Sequence, residues 1–436
     1  NLFDEAPTPL ARRLVQPPSI TVEPSDNSYL AIVGFEAARD QDVVEAGLRL
    51  VAEHRAAAQA DPLGEQRAKS LASAFPARRA PDRIAFAGDA DALCDIAGPS
   101  CLADSARRGE EIREMLDANA VLVARYESIQ RMSGYANTAA VDVYRWLLAP
   151  SSFHATFNLL LARAALDAQH SHLDRALDFL ARDMAFWRRV MASGSPLVDV
   201  QIAARAFTSE VGLLSEIIAA PSIDIAPRAA RLRAMLAPLQ ADEFDLSRTL
   251  EREFEVRALT LSDLGALARR SPAEALPEAV PHWLVPLLYK RQATVNRTAA
   301  LYERMQLVAH ARPGEFERRR TELDAFVREQ EDPDYHWIYD PVGKAVSAST
   351  PLLIDAIAAS FDLAAYVNLV RASLELRLAA VGDADVEIFL LRAAPETRNP
   401  YSGLPFSWDP NTRTLSFGAA SAASRDLGIT EVRLVR

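Results

Sequence analysis

Leu173-Asp174-Arg175-Ala176-Leu177-Asp178-Phe179-Leu180-Ala181-Arg182-Asp183-Met184-Ala185-Phe186-Trp187-Arg188-Arg189-Val190-Met191 is the stretch that decides the fold class. Leu173, Leu177, Leu180, Met184, Trp187 and Met191 recur at spacings of 4, 3, 4, 3 and 4, one apolar stripe along a helix of 3.6 residues per turn. On its N-terminal side Phe153, Phe157, Leu160, Leu161 and Ala164 make a second stripe. On its C-terminal side Phe207, Val211, Leu214 and Ile218 make a third. Three amphipathic helices joined by short turns bury their stripes against one another. The expectation is a mainly α fold of stacked antiparallel helices, repeat-like and in part similar to tetratricopeptide stacking, although no 34-residue self-similarity exists.

Outward from that centre, a helix is expected from about Gln41 to Ala60 with Val44, Leu48 and Val51 inward. Another runs from about Arg107 to Met132 with Ile112, Leu116 and Val123 inward. Further helices are expected over Pro227 to Pro238, Glu243 to Arg269, Val285 to Ala311, Pro313 to Glu329 and Pro351 to Val381. Tyr29 to Phe35 reads as a short strand ending near Gly34, and Asp61 to Asp104 as irregular or as short helices. The tail changes character: Val386 to Arg392, Phe406 to Trp408, Thr414 to Phe417 and Glu431 to Val435 are β-like, with Asp409-Pro410-Asn411-Thr412 as a turn. The organisation expected is a tether over 1–26, a helical body over 27–385 and a small β-rich C-terminal element over 386–436.

The only two cysteines, Cys94 and Cys101, bracket a Gly-Pro turn. Read as a disulfide, they close a short loop worth about 2.5 kcal/mol in chain entropy. Such a bond persists only in an oxidising compartment; the alternative is two reduced structural thiols. The chain opens at Asn1 without Met, and residues 1–26 carry Pro7, Pro9, Pro17, Pro18 and Pro24, an extended tether following a removed signal or membrane anchor. No run of eighteen apolar residues is present. Together these point to the periplasm. A net charge of −11 argues against nucleic acid or an anionic membrane surface as partner. The 45 Arg against 3 Lys reflect a GC-rich genome rather than a function.

Most catalytic signatures are missing: no G-x-S-x-G, S-x-x-K, H-E-x-x-H or Gly-rich phosphate loop occurs. His170-Ser171-His172-Leu173-Asp174 is the best metal candidate. Capping explains it better, with Ser171 as N-cap and Asp174 at the third position of a capping box. Asp89, Asp91 and Asp95 miss the calcium-loop spacing. Glu251, Arg252, Glu253 and Glu255 read as a solvated helix face. The expectation is therefore no metal, no cofactor and no catalytic residue. Asp332-Pro333-Asp334-Tyr335-His336-Trp337-Ile338-Tyr339-Asp340-Pro341 gathers aromatic side chains in a loop. Tyr335, Trp337 and Tyr339 are the candidate partner-binding residues, against the reading that they plug the seam between body and tail.

Four segments occur in order: Asp183-Met184-Ala185-Phe186-Trp187-Arg188-Arg189, Gln292-Ala293-Thr294-Val295-Asn296-Arg297, Asp340-Pro341-Val342-Gly343-Lys344 and Asn399-Pro400-Tyr401-Ser402-Gly403. With them the chain resembles a group of proteobacterial periplasmic helical proteins, some similar to immunity proteins against secreted antibacterial effectors, lipases included. The resemblance implies a non-enzymatic binding protein that occludes an effector, and the tether reading adds attachment to the membrane through an N-terminal anchor. The alternatives are an envelope scaffold or adaptor, and a hydrolase with a site assembled from scattered residues.

Overall fold

The computed structural model describes residues 4–16, 21–60, 82–90, 93–94, 100–141, 149–170, 172–262, 288–312, 314–331, 339–348, 353–394 and 397–434. It is mainly helical, with a three-stranded antiparallel sheet near the C-terminus. In its first half the helices are α1 (Pro9–Val15), α2 (Ser28–Val33), α3 (Val43–Ala60), α4 (Cys101–Arg107), α5 (Gly109–Ala118), α6 (Ala120–Ile129), α7 (Ser151–Gln169), α8 (Leu173–Ala192) and α9 (Leu197–Ala219). Then come α10 (Ala229–Met235), α11 (Ala241–Phe244), α12 (Ser247–Ser262), α13 (Arg291–Ala309), α14 (Phe316–Glu331), α15 (Pro341–Ala348), α16 (Ile354–Leu378), α17 (Val386–Leu391) and α18 (Ala422–Asp426).

The three stripes behave as their spacing dictates. Leu173, Leu177, Leu180, Met184, Trp187 and Met191 are all buried, α8 lies against α7 and α9, and α9 lies in turn against α16. Trp187 meets Phe157 edge-to-face at 6.0 Å between ring centroids, a geometry that adds to simple burial. Two hydrophobic cores result. One is built by α2 to α10, the C-terminal part of α16 and the sheet. The other is built by α1, α12 to α15 and the N-terminal part of α16. Helix α16 belongs to both, contributing Ile357, Ala358 and Phe361 to the second core and Leu363 to Leu376 to the first. Its length and apolar character would let it cross a membrane, but 83% of its most apolar stretch is buried inside the protein, which makes it a core helix.

The tail pairs strands β1 (Ser407–Asp409), β2 (Thr414–Ser416) and β3 (Glu431–Arg433) in the order β1-β2-β3. Trp408 sits opposite Leu415, and Leu415 opposite Val432.

Several expectations need correction. Tyr29 to Phe35 is not a strand: α2 is a helix in which every residue is buried, and an unbroken apolar run cannot show its period. Its close approach to α3 depends on Gly47, where an added Cβ would lie 1.9 Å from Leu30 O. Helix α3 buries Leu50 and Val51 but turns Leu48 to solvent. The helix expected from 107 to 132 is two helices, α5 and α6, and α4 ends where it was expected to begin. The chain bends at Arg108 and Asn119, where the Asn119 amide is spent on Ala87 N, Ala87 O and Met115 O. Val386 to Leu391 is helix α17 rather than strand, since Val386 and Leu390 face inward four residues apart while Ile388 and Leu391 are exposed. The segment read as an extended tether contains α1, which buries Ala11 and Leu14 and lies against α12 and α13.

Candidate functional site

Of the three candidate partner-binding residues, Tyr335 and Trp337 lie outside the described residues. Tyr339 is described and is 37% exposed. The next residue, Asp340, is buried in a left-handed conformation (φ 53°), a position an Asp tolerates better than a β-branched residue. Its Oδ1 accepts from Lys290 N at 2.8 Å and Gly343 N at 3.1 Å. Its Oδ2 accepts from Thr294 Oγ1 at 2.8 Å and from Arg297 at 3.3 Å. Burial raises the Asp340 carboxyl pKa, and these hydrogen bonds with the Arg297 charge pull against that rise. Burial likewise lowers the pKa of Lys344, and Arg297 adds to the fall. Gly343 packs closely against the node: a Cβ there would lie 1.9 Å from Thr294 Oγ1 and 2.2 Å from Asp340 Oδ2.

Helix α13 also holds the N-terminal segment. Asp4 accepts from Gln292 N at 3.0 Å and Ala293 N at 3.1 Å, serving the free N–H groups of the first turn of α13. Those bonds outweigh burial and lower its pKa. Asn296 accepts from Thr8 N at 3.0 Å and donates to Ala6 O and Glu5 Oε2, both at 2.9 Å. Tyr339 therefore stands beside a docked chain segment; burial raises its phenol pKa, and the nearby Glu5 and Asp4 carboxylates add to the rise.

The four segments carrying the family resemblance thus have structural work. Gln292 to Arg297 and Asp340 to Lys344 make one node. In Asp183 to Arg189, Asp183 accepts from Tyr126 Oη at 3.0 Å and Gln130 Nε2 at 2.7 Å, tying α8 to α6. Arg188 pairs with Glu243 at 2.7 Å and donates to Ala237 O and Pro238 O. In Asn399 to Gly403, Tyr401 Oη reaches Asp362 at 2.7 Å and Ala358 O at 2.8 Å, while Asp362 also accepts from Ala420 N and Ser421 N. That bracket ties the tail to α16.

Cys94 and Cys101 form the disulfide. The helix it starts, α4, has its first N–H groups, Cys101 N and Leu102 N, held by the Glu216 carboxylate at 2.9 and 2.8 Å. The His170 to Asp174 stretch does not make the expected capping box. The N-cap of α8 is His172, with no side-chain cap bond, and Ser171 lies outside the described residues. Asp174 pairs with Arg228 at 2.7 Å, and His170 Nδ1 lies 2.8 Å from Leu166 O. Of the acidic trio only Asp89 is described. Glu251 to Glu255 is half-buried rather than solvated, with Arg252 on Glu255 at 3.1 Å and Glu251 accepting from Gln306. Among the described residues, no group of three or more His, Cys, Asp and Glu side chains converges on a metal position.

Sequence reasoning missed the buried acids. Glu210 faces Asp183 across the α8–α9 contact; burial raises both carboxyl pKa values, and the Asp183 charge adds to the rise at Glu210. Asp199, at the start of α9, accepts from Asn137 at 2.7 Å and is pushed up to about 6 by burial. The signal was available. Asp183 lies three residues after Leu180 and four before Trp187, and Glu210 lies three after Phe207 and four before Leu214, inside the apolar stripes.

Compared with family models, with curated proteins and with solved structures, the chain matches none.

Proposed function

We propose that this is a non-enzymatic binding protein of an oxidising compartment, the periplasm, and that it acts as an immunity protein occluding a secreted antibacterial effector such as a lipase. The observation that carries the binding reading is Tyr339, displayed at the surface on a base fixed by the multiply bonded carboxylate of Asp340. An aromatic side chain with its backbone already ordered loses little further entropy on contact, which is how a few anchors come to dominate an interface. The disulfide supports the compartment. The family resemblance supports the effector as partner. Two of the buried acids, Asp183 and Asp340, are occupied by hydrogen bonds that tie helices together, which suits a binding protein.

The test is capture of candidate effectors by the purified protein and by Tyr339→Ala. The variant is expected to bind at least about tenfold more weakly while its melting temperature stays within a degree or so of wild type. A destabilised variant with unchanged affinity removes this surface from the interface. A protein that captures no effector, and whose deletion leaves fitness against competitors unchanged, refutes the immunity reading.

A further inference from the structure

A cavity of about 470 Å³ opens at the seam between the helical body and the C-terminal sheet, within the size range of small-molecule sites. Its walls are the C-terminal ends of α9 and α16, the Ala380 to Asp383 turn and strand β3. Ile218, Leu376, Val381 and Val432 make it largely apolar. Its charged groups are three arginines, Arg377, Arg413 and Arg433, against one carboxylate, Asp383. In a chain of net charge −11 that is a local reversal of sign.

The three guanidinium groups have different duties. Arg377 donates to Ile218 O, to Ile217 O at 3.3 Å and to Ile223 O at 2.6 Å, neutralising the carbonyl end of α9. Arg413 pairs with Asp383 at 2.9 Å, yet its Nε is shielded from solvent and has no partner. Arg433 is exposed at the rim and adds the uncompensated charge. Arg413 ends the β1–β2 turn at φ 55°, a position that favours glycine or asparagine, and the turn sets its guanidinium on the cavity wall.

We propose that this cavity binds an amphipathic anion, an apolar chain or ring bearing a carboxylate or phosphate head. The head group meets the guanidinium groups of Arg413 and Arg433, and the apolar body lies against Ile218, Leu376, Val381 and Val432. Guanidinium forks suit both head groups, so either origin of the anion fits the same chemistry. This site lies apart from the Tyr339 surface and does not depend on the protein-partner reading.

Isothermal titration and thermal unfolding of the full chain with decanoate, decyl phosphate, decanol and decyltrimethylammonium test it. At least one of the two anions is expected to bind and to raise the melting temperature, and the tighter of the two identifies the head group. Decanol and the ammonium compound are expected to bind at least tenfold more weakly. Arg413→Gly suits the left-handed turn, so it is expected to unfold normally and to lose about tenfold in affinity; Arg433→Gln is expected to lose a similar factor. The proposal is overturned if neither anion binds at millimolar concentration, if decanol binds as well as the anions, or if both variants bind unchanged.

Discussion

Replacing Asp199 by Asn removes a carboxyl that folding places where ionisation is unfavourable. Burial raises its pKa from 3.8 to about 6, against hydrogen bonds from Asn137 and Tyr135, and Glu253 adds a like charge. Because the folded value is the higher one, the protonated side chain favours the native state fully below pH 3.8. That advantage disappears as pH climbs through about 6. A shift of about two units corresponds to roughly 3 kcal/mol between the two ends of that window. Asparagine keeps the shape and carries no charge, but gives up the favourable carboxylate in the first turn of α9, about 0.5 kcal/mol, and one acceptor, about 1 kcal/mol. The variant is therefore expected to be less stable than wild type by about 1 kcal/mol at pH 4 and more stable by about 1–2 kcal/mol at pH 7.5. In a chain of this size that is a rise of a few degrees in melting temperature. Thermal unfolding of both proteins at half-unit steps from pH 4 to pH 8 measures it. Curves that stay parallel across the range would refute the assignment of a buried, reluctantly ionised Asp199.

Cys94→Ser with Cys101→Ser is expected to lower stability by about 2.5 kcal/mol at most, since the closed loop is short; thiol titration of the unfolded, unreduced protein should find no free cysteine. Gly343→Ala drives a methyl group into Thr294 and Asp340. It is expected to destabilise by about 3 kcal/mol or more, measured as a lower denaturation midpoint, and a neutral result would show that the node can open.

The helical body was readable because Leu173 to Met191, with its neighbouring stripes, repeats a period that only a helix satisfies. The hairpin was readable because Asp409 to Thr412 supplies turn chemistry between alternating runs. Elements without a period were misread. Helix α2 is buried on every side, and α17 is too short for Val386 and Leu390 to be told from a strand by spacing alone. Prolines in the first 26 residues suggested an extended segment, whereas Pro9 opens α1, where a missing N–H costs nothing. Of the candidate surface, the aromatic residues were legible as a cluster. The base beneath Tyr339 was not, because Asp340, Thr294, Arg297 and Asn296 meet only through folding, across gaps of more than forty residues in the chain.

Helix α16 gives the molecule a late keystone during synthesis. One core draws on residues from Tyr29 to Val432, the other reaches back to Ala11 and Leu14, and neither closes without residues 357–376. Domains that form early on the ribosome fold from the N-terminus as units. Here neither core can be filled before α16 is present, and a chain cut short of Ile357 would leave both open at once instead of one folded half.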